Sequence, residues 1–273
     1  LAHKIGDEPL YLFLMWQVVS VKLHTYEWDQ ALAVIAQLAE MCKKNHHHRY
    51  VAWFQATEGH ILIRRGRWAE GEVKLLVASG LMSQSNDILL ESFVGGVLAA
   101  SALHRGDQKQ ARKWADETLN RFRGKGIPGH GGLEGFPSLV EVYLALWQKS
   151  HDPAERVELL AQLSRARRLM KQYGKVFKLG TARYHILEGQ YHFHTGSLTK
   201  AVQHLQKGLE SARRCRMRYD RGLAHFWLGQ LASQKLIFRL SIDGRAHLRA
   251  AVALFAEIGA EEERAQAARA LAR

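Results

Sequence analysis

A repeat constrains this chain more than any single motif. Glu58-Gly59 is followed seven positions later by Gly66, and Glu188-Gly189 seven positions later by Gly196. Five residues beyond each second glycine stands a small residue, Gly71 or Ala201, and Gly106 is followed at the same distance by Ala111. The register extends further. One slot holds Tyr26, Gly66, Gly106, His151 and Gly196, at spacings of 40, 40, 45 and 45 residues. A second holds Ala31, Gly71, Ala111, Arg156 and Ala201, with Arg156 out of character, and a third holds Val19, Gly59, Ala99, Leu144, Gly189 and Gly229. A period of this length belongs to stacked supersecondary units, none of which can bury its apolar face alone.

The unit is a helix pair. Apolar residues recur at three- and four-residue intervals, as in Leu223, Phe226, Trp227 and Leu231, and strict alternation never persists long enough for a strand. Only four prolines interrupt the chain. A small residue on each helix lets two backbones approach until their ridges interlock, and a glycine where the first helix ends accepts the left-handed conformation of a helix C-terminus. The pattern predicts helices 9–24 with 28–44, 49–65 with 68–82, 87–105 with 108–123, 137–149 with 153–173, 176–195 with 198–215 and 218–240 with 244–258. A closing helix near 260–272, rich in Glu, Arg and Ala, has the polar face of a cap. Gly124 to Gly135, followed by Phe136-Pro137, is too dense in glycine and proline to continue a helix. It divides the array into pairs one to three (1–123), a glycine-rich connector (124–137), and pairs four to six with the cap (138–273). The connector lacks the GxxxxGK[ST] spacing of a phosphate loop, and is read as a long, mobile segment able to fold into the groove.

These residues resemble the tetratricopeptide-repeat family over roughly residues 11 to 260, through the pairs Gly59/Gly71, Ala99/Ala111 and Gly189/Ala201. The period is longer than that family's usual one and the closing proline is absent. In this respect the chain is similar to the long-period arrays of bacterial STAND and LuxR-type regulators and of multidomain nucleotide cyclases. The resemblance implies an all-α, right-handed α-α superhelix of about six helix pairs with a C-terminal capping helix. It also implies a sensor or scaffold module, covalently linked to further domains of a larger cytosolic signalling protein.

Composition narrows the function classes. Lys and Arg number 39 against 26 Asp and Glu, a formal charge of +13, which favours acidic partners or matches the negative ends of helix dipoles. Cys42 and Cys215 form no metal or redox motif, and a reducing cytosol suits them. No run approaches the ~20 apolar residues of a membrane span, so no membrane partner is expected. Neither a GxSxG elbow nor an HExxH helix is present, and no catalytic residue, cofactor or metal is assigned. His46-His47-His48 reads as a solvated basic turn, and His185, Glu188 and His192 share a helix face that suits a Glu–His pair better than a metal.

The register also yields a site expectation. In repeats of the resembling kind, first helices line the concave face. Five residues past the tight slot come His24, Arg64, His104, Lys149, His194 and Gln234; one residue past it come Ser20, His60, Ala100, Ala145, Gln190 and Gln230. Phe13, Trp16, Trp53, Phe93, Phe193 and Phe226 flank them. A mostly basic, hydrogen-bonding ladder beside aromatic shelves suits an acidic or extended peptide. A nucleic-acid-binding helical repeat is the alternative, and a small-molecule effector receptor of the STAND type a further one.

Overall fold

A computed structural model describes residues 7–82, 87–127, 129–233 and 242–273. Among the described residues the chain is all-α, with thirteen helices and no strand. The pairs are α1 (Glu8–Thr25) with α2 (Trp28–Lys44), α3 (His48–Arg64) with α4 (Trp68–Met82), and α5 (Ile88–His104) with α6 (Gln108–Arg121). Then come α7 (Gly135–Lys149) with α8 (Pro153–Val176), α9 (Leu179–His194) with α10 (Leu198–Arg214), and α11 (Arg218–Ala232) with α12 (Gly244–Ile258). Helix α13 (Glu261–Leu271) closes the array. Each helix packs against its sequence neighbours, which makes the fold a helical-repeat superhelix. The part of the predicted 218–240 helix beyond Ser233 lies outside the described residues.

Local chemistry explains the boundaries. Aspartates cap five helices: Asp7, Asp87, Asp107, Asp152 and Asp243 each accept a backbone N–H of the first turn, satisfying donors that have no partner inside the helix. At the ends of first helices the turn slot is left-handed at Tyr26 (φ 64°), Gly66, Gly106 and Gly196. His151 departs from this pattern, because α7 ends on the extended Ser150 instead.

The tight and small slots meet inside the pairs. A Cβ on Gly59 would lie 2.7 Å from the Gly71 carbonyl oxygen, and one on Gly71 2.5 Å from that of Gly59. Arg156, the misfit, turns outward over the Trp147 ring, 4.7 Å from its centroid, and donates to the Trp147 and Ser150 carbonyls. A continuous apolar core runs through the stack, from Leu12 and Val19 through Phe93 and Tyr143 to Phe255.

The glycine-rich connector is shorter than expected, since α7 begins at Gly135 rather than residue 137. Residues 131–140 are all buried. Gly131 lies against Trp53, Gly132 against Phe136, and Tyr173 donates to the His130 carbonyl at 2.6 Å. The segment therefore folds inward and becomes part of the concave wall.

Candidate functional site

The inward fold of that connector delivers Glu134, 1% exposed, to the inside of the superhelix. His60 Nε2 stands 3.5 Å from its carboxylate, Arg64 Nη2 3.6 Å and Arg183 Nη1 3.6 Å. Burial alone would raise the Glu134 carboxyl, but Arg183, His60, Arg64 and His24 hold it down to about 2. Behind it, Arg183 Nε donates to Asp220 at 2.5 Å and Arg183 Nη2 to the Tyr26 hydroxyl at 3.2 Å, while that hydroxyl donates to Asp220 at 2.9 Å. Arg183 and Asp220 are both 0% exposed. Charges so deeply buried persist only when paired, and this pairing joins α1, α9 and α11 around the inserted loop.

A second arm closes the other side. Arg64 Nη1 contacts the Tyr219 hydroxyl at 2.5 Å and Glu263 at 2.9 Å, and the Tyr219 hydroxyl donates to Glu263 at 2.7 Å. The capping helix α13 is thus tied to the end of α3 by side chains 199 residues apart.

Beside the second arm, bordered by Arg64, Tyr219 and Glu263, lies a cavity of about 370 Å³. Four groove candidates from one slot, His60, Ala100, Ala145 and Gln190, line it together with Arg64, His104 and His194 from the other. Its walls are aromatic. Trp68 stacks on His104 with centroids 3.7 Å apart and planes 5° from parallel, and Trp227 meets His194 edge-on at 5.5 Å. His104 and Gln148 are exposed at the rim. Glu141, Glu262 and Glu263 bring carboxylates to the lining, and burial pushes the Glu141 carboxyl above its usual range.

The remaining predicted positions lie elsewhere. His24 is 3% exposed and sits in the Glu134 cluster, neither ring nitrogen hydrogen-bonded, with burial lowering its pKa to about 4. Lys149 is exposed and, like Gln230, does not line the cavity; Gln234 lies outside the described residues. Arg64 is committed to the internal network rather than free to reach a partner. Trp16 packs tilted on Trp53 at 4.4 Å, Phe93 meets Trp53 edge-on at 5.8 Å, and together they receive the glycine-rich segment, so these shelves are filled by the chain itself. Only Phe226 of the flanking aromatics lines the cavity.

Glu134, Arg183, Asp220, Tyr219 and Glu263 carry the network without having been singled out in the sequence, and Tyr26 is marked there only as a turn residue. One signal was present: Arg183 and Asp220 interrupt the buried faces of α9 and α11 with opposite charges.

A metal-like grouping stands within the fifth pair, where Glu188, His192 and His204 place donor atoms within 4.8 Å of one another. Arg167 holds both Glu188 oxygens at 2.8 and 2.7 Å, and the Nδ1 atoms of His185 and His204 lie 3.1 Å apart. The carboxylate is therefore already neutralised by a bidentate guanidinium.

Among the described residues no helix is long and apolar enough to cross a membrane. No protein-family model matches the chain, and none of the curated proteins compared with it matches either.

Proposed function

We propose that this chain is a non-catalytic binding module whose concave cavity takes a compact ligand, as the sensor part of a regulatory protein. One observation carries the reading: seven residues from two register slots converge on a single 370 Å³ cavity with aromatic walls. An extended peptide running the length of the groove is less well supported. Residues 131–136 and α13 already occupy the stretches of groove on either side. The tetratricopeptide-like resemblance agrees with a binding role but names no ligand.

The test is a screen of small organic compounds by thermal shift and calorimetry, repeated on Ala145→Phe and Ala100→Leu, which narrow the cavity from two helices. Saturable 1:1 binding that both variants weaken at unchanged helicity is the expected result. Ligands whose affinity ignores both variants would remove the cavity from the mechanism.

A further inference from the structure

Among the described residues the cavity's charge is opposite to that of the molecule. The chain carries +13, yet the described lining holds Glu141, Glu262 and Glu263 against Arg64 as its one guanidinium. Adding the groups buried behind it, five carboxylates (Glu134, Glu141, Asp220, Glu262 and Glu263) face two guanidiniums, Arg64 and Arg183. Both arginines are ion-paired, although Arg183 Nη1 makes no hydrogen bond. Arg183 is held by Asp220 and Glu134, Arg64 by Glu263 and Glu134. No hydrogen bond or ion pair reaches Glu141 among the described residues.

His60 supplies an independent pointer. Its ring is 2% exposed and lines the cavity, with Nε2 towards Glu134 and Nδ1 without any partner. The carboxylate 3.5 Å from Nε2, although not hydrogen-bonded to it, favours the single proton of a neutral imidazole on that nitrogen. Nδ1 is then a lone pair with nothing to accept from, a costly state for a buried group. Glu263 Oε2 is likewise buried without a hydrogen bond. The unfilled polar positions of the lining are thus mainly acceptors, and the cavity asks for a ligand rich in N–H donors. The indole N–H of Trp68 is the exception, an unpartnered donor that suits one acceptor on the same ligand.

We infer that the ligand is an organic cation, an ammonium or amidinium on an apolar body, with its charged head between Glu141 and the His60 Nδ1 and its body against Trp227 and Phe226. This rests on the cavity reading above and specifies its substrate class. Aromatic faces attract cations through their quadrupole, and more strongly once water is excluded. The basic exterior does not oppose entry at close range, because exposed charges more than about 8 Å away are largely screened at physiological salt.

Three probes of one shape separate the possibilities: phenethylammonium, phenethyl alcohol and phenylacetate, compared at neutral pH by calorimetry and ligand-observed NMR. Phenethylammonium should bind about tenfold more tightly than the alcohol, the order a partly buried charge pair supplies, and phenylacetate should not compete. Glu141→Gln should remove that advantage while leaving the alcohol's weak binding unchanged, and Ala145→Phe should weaken both. Alcohol or phenylacetate binding as tightly as the amine, and still sensitive to Ala145→Phe, would overturn the cation assignment and leave the cavity reading intact. Amine binding insensitive to both Ala145→Phe and Ala100→Leu would overturn the cavity reading itself. Failure of phenethylammonium to bind at all would overturn the cation assignment.

Discussion

The Tyr26 hydroxyl, at the end of the first helix, donates to Asp220 in α11 at 2.9 Å, across 194 residues of chain. Tyr26 is also one of three non-glycine residues at positive φ (64°) among those described. Its side chain, stacked on Tyr219 at 5.3 Å and bonded to Asp220, holds the backbone where glycine serves the next two repeats. Strain of this kind persists only where surrounding contacts over-determine it. The first repeat is thereby anchored to the last.

Breaking that anchor should be costly. Arg183→Met leaves Asp220 and Glu134 buried without their guanidinium, and should lower unfolding free energy by ~3–5 kcal/mol. Tyr26→Phe, which removes one hydroxyl, should cost ~1–2 kcal/mol. Urea denaturation of both variants checks the order. Replacing Arg183 and Asp220 together by Leu should recover much of the loss, because no orphaned charge then remains between them.

Helix spacing predicts a contrast between two glycines. Gly71→Ala sets a methyl group 2.5 Å from the Gly59 carbonyl oxygen, so the α3–α4 pair must spread, at ~1–3 kcal/mol. Gly106→Ala meets nothing within 4 Å but must hold φ at 82°, which costs ~1–2 kcal/mol. Chemical denaturation should rank Gly71→Ala as the more damaging, because its nearest neighbour is backbone, which no side-chain rotation can move aside.

Acid should unfold the protein earlier than its carboxylates alone would dictate. Burial lowers His24 to about 4 and His60 to about 3, from an ordinary 6.5. Between those values the unfolded chain binds protons that the folded chain does not, so stability falls as pH drops below 6.5. Glu134 acts in the same direction lower down: its carboxylate, held to about 2, contributes stability above the ordinary 4.5 that is lost as pH falls towards 2. His24→Phe should flatten the upper part of the curve by ~3 kcal/mol, at ~1.4 kcal/mol per pKa unit. Thermal melts from pH 7 to 4 would show it, and an unchanged slope would mean that His24 is not held neutral.

Binding of a cation should be linked to a proton. Burial raises the Glu141 carboxyl, opposed by Arg64 and Arg183 and assisted by Glu134 and Glu263. A cationic ligand stabilises the ionised form, so any proton on Glu141 is released and affinity rises with pH through that group's titration. Calorimetry of phenethylammonium in buffers of differing ionisation heat should detect the release, and Glu141→Gln should abolish it.

Much of the candidate site was legible, but not its chemistry. Positions one and five past the tight slot do face inward at His60, Ala100, Ala145, Gln190, Arg64, His104 and His194, because helical periodicity turns equal offsets to equal faces. Lys149 is exposed, where the α7 turn departs from its sister turns. A basic ladder was expected from those slots. The balancing carboxylates come from the connector, from the body of α7 and from α13, at positions outside the register slots.

The sequence by itself determined the helix pairs and their close approach at Gly59/Gly71, since caps, turns and apolar spacing act over a few residues. Only the tertiary structure decided that the glycine-rich segment fills the groove, that Tyr26 meets Asp220, and that the cavity is acidic. Those outcomes depend on how far the superhelix curls. Curl accumulates from small rotations at every helix interface, and brings together side chains whose sequence separations carry no periodic signal.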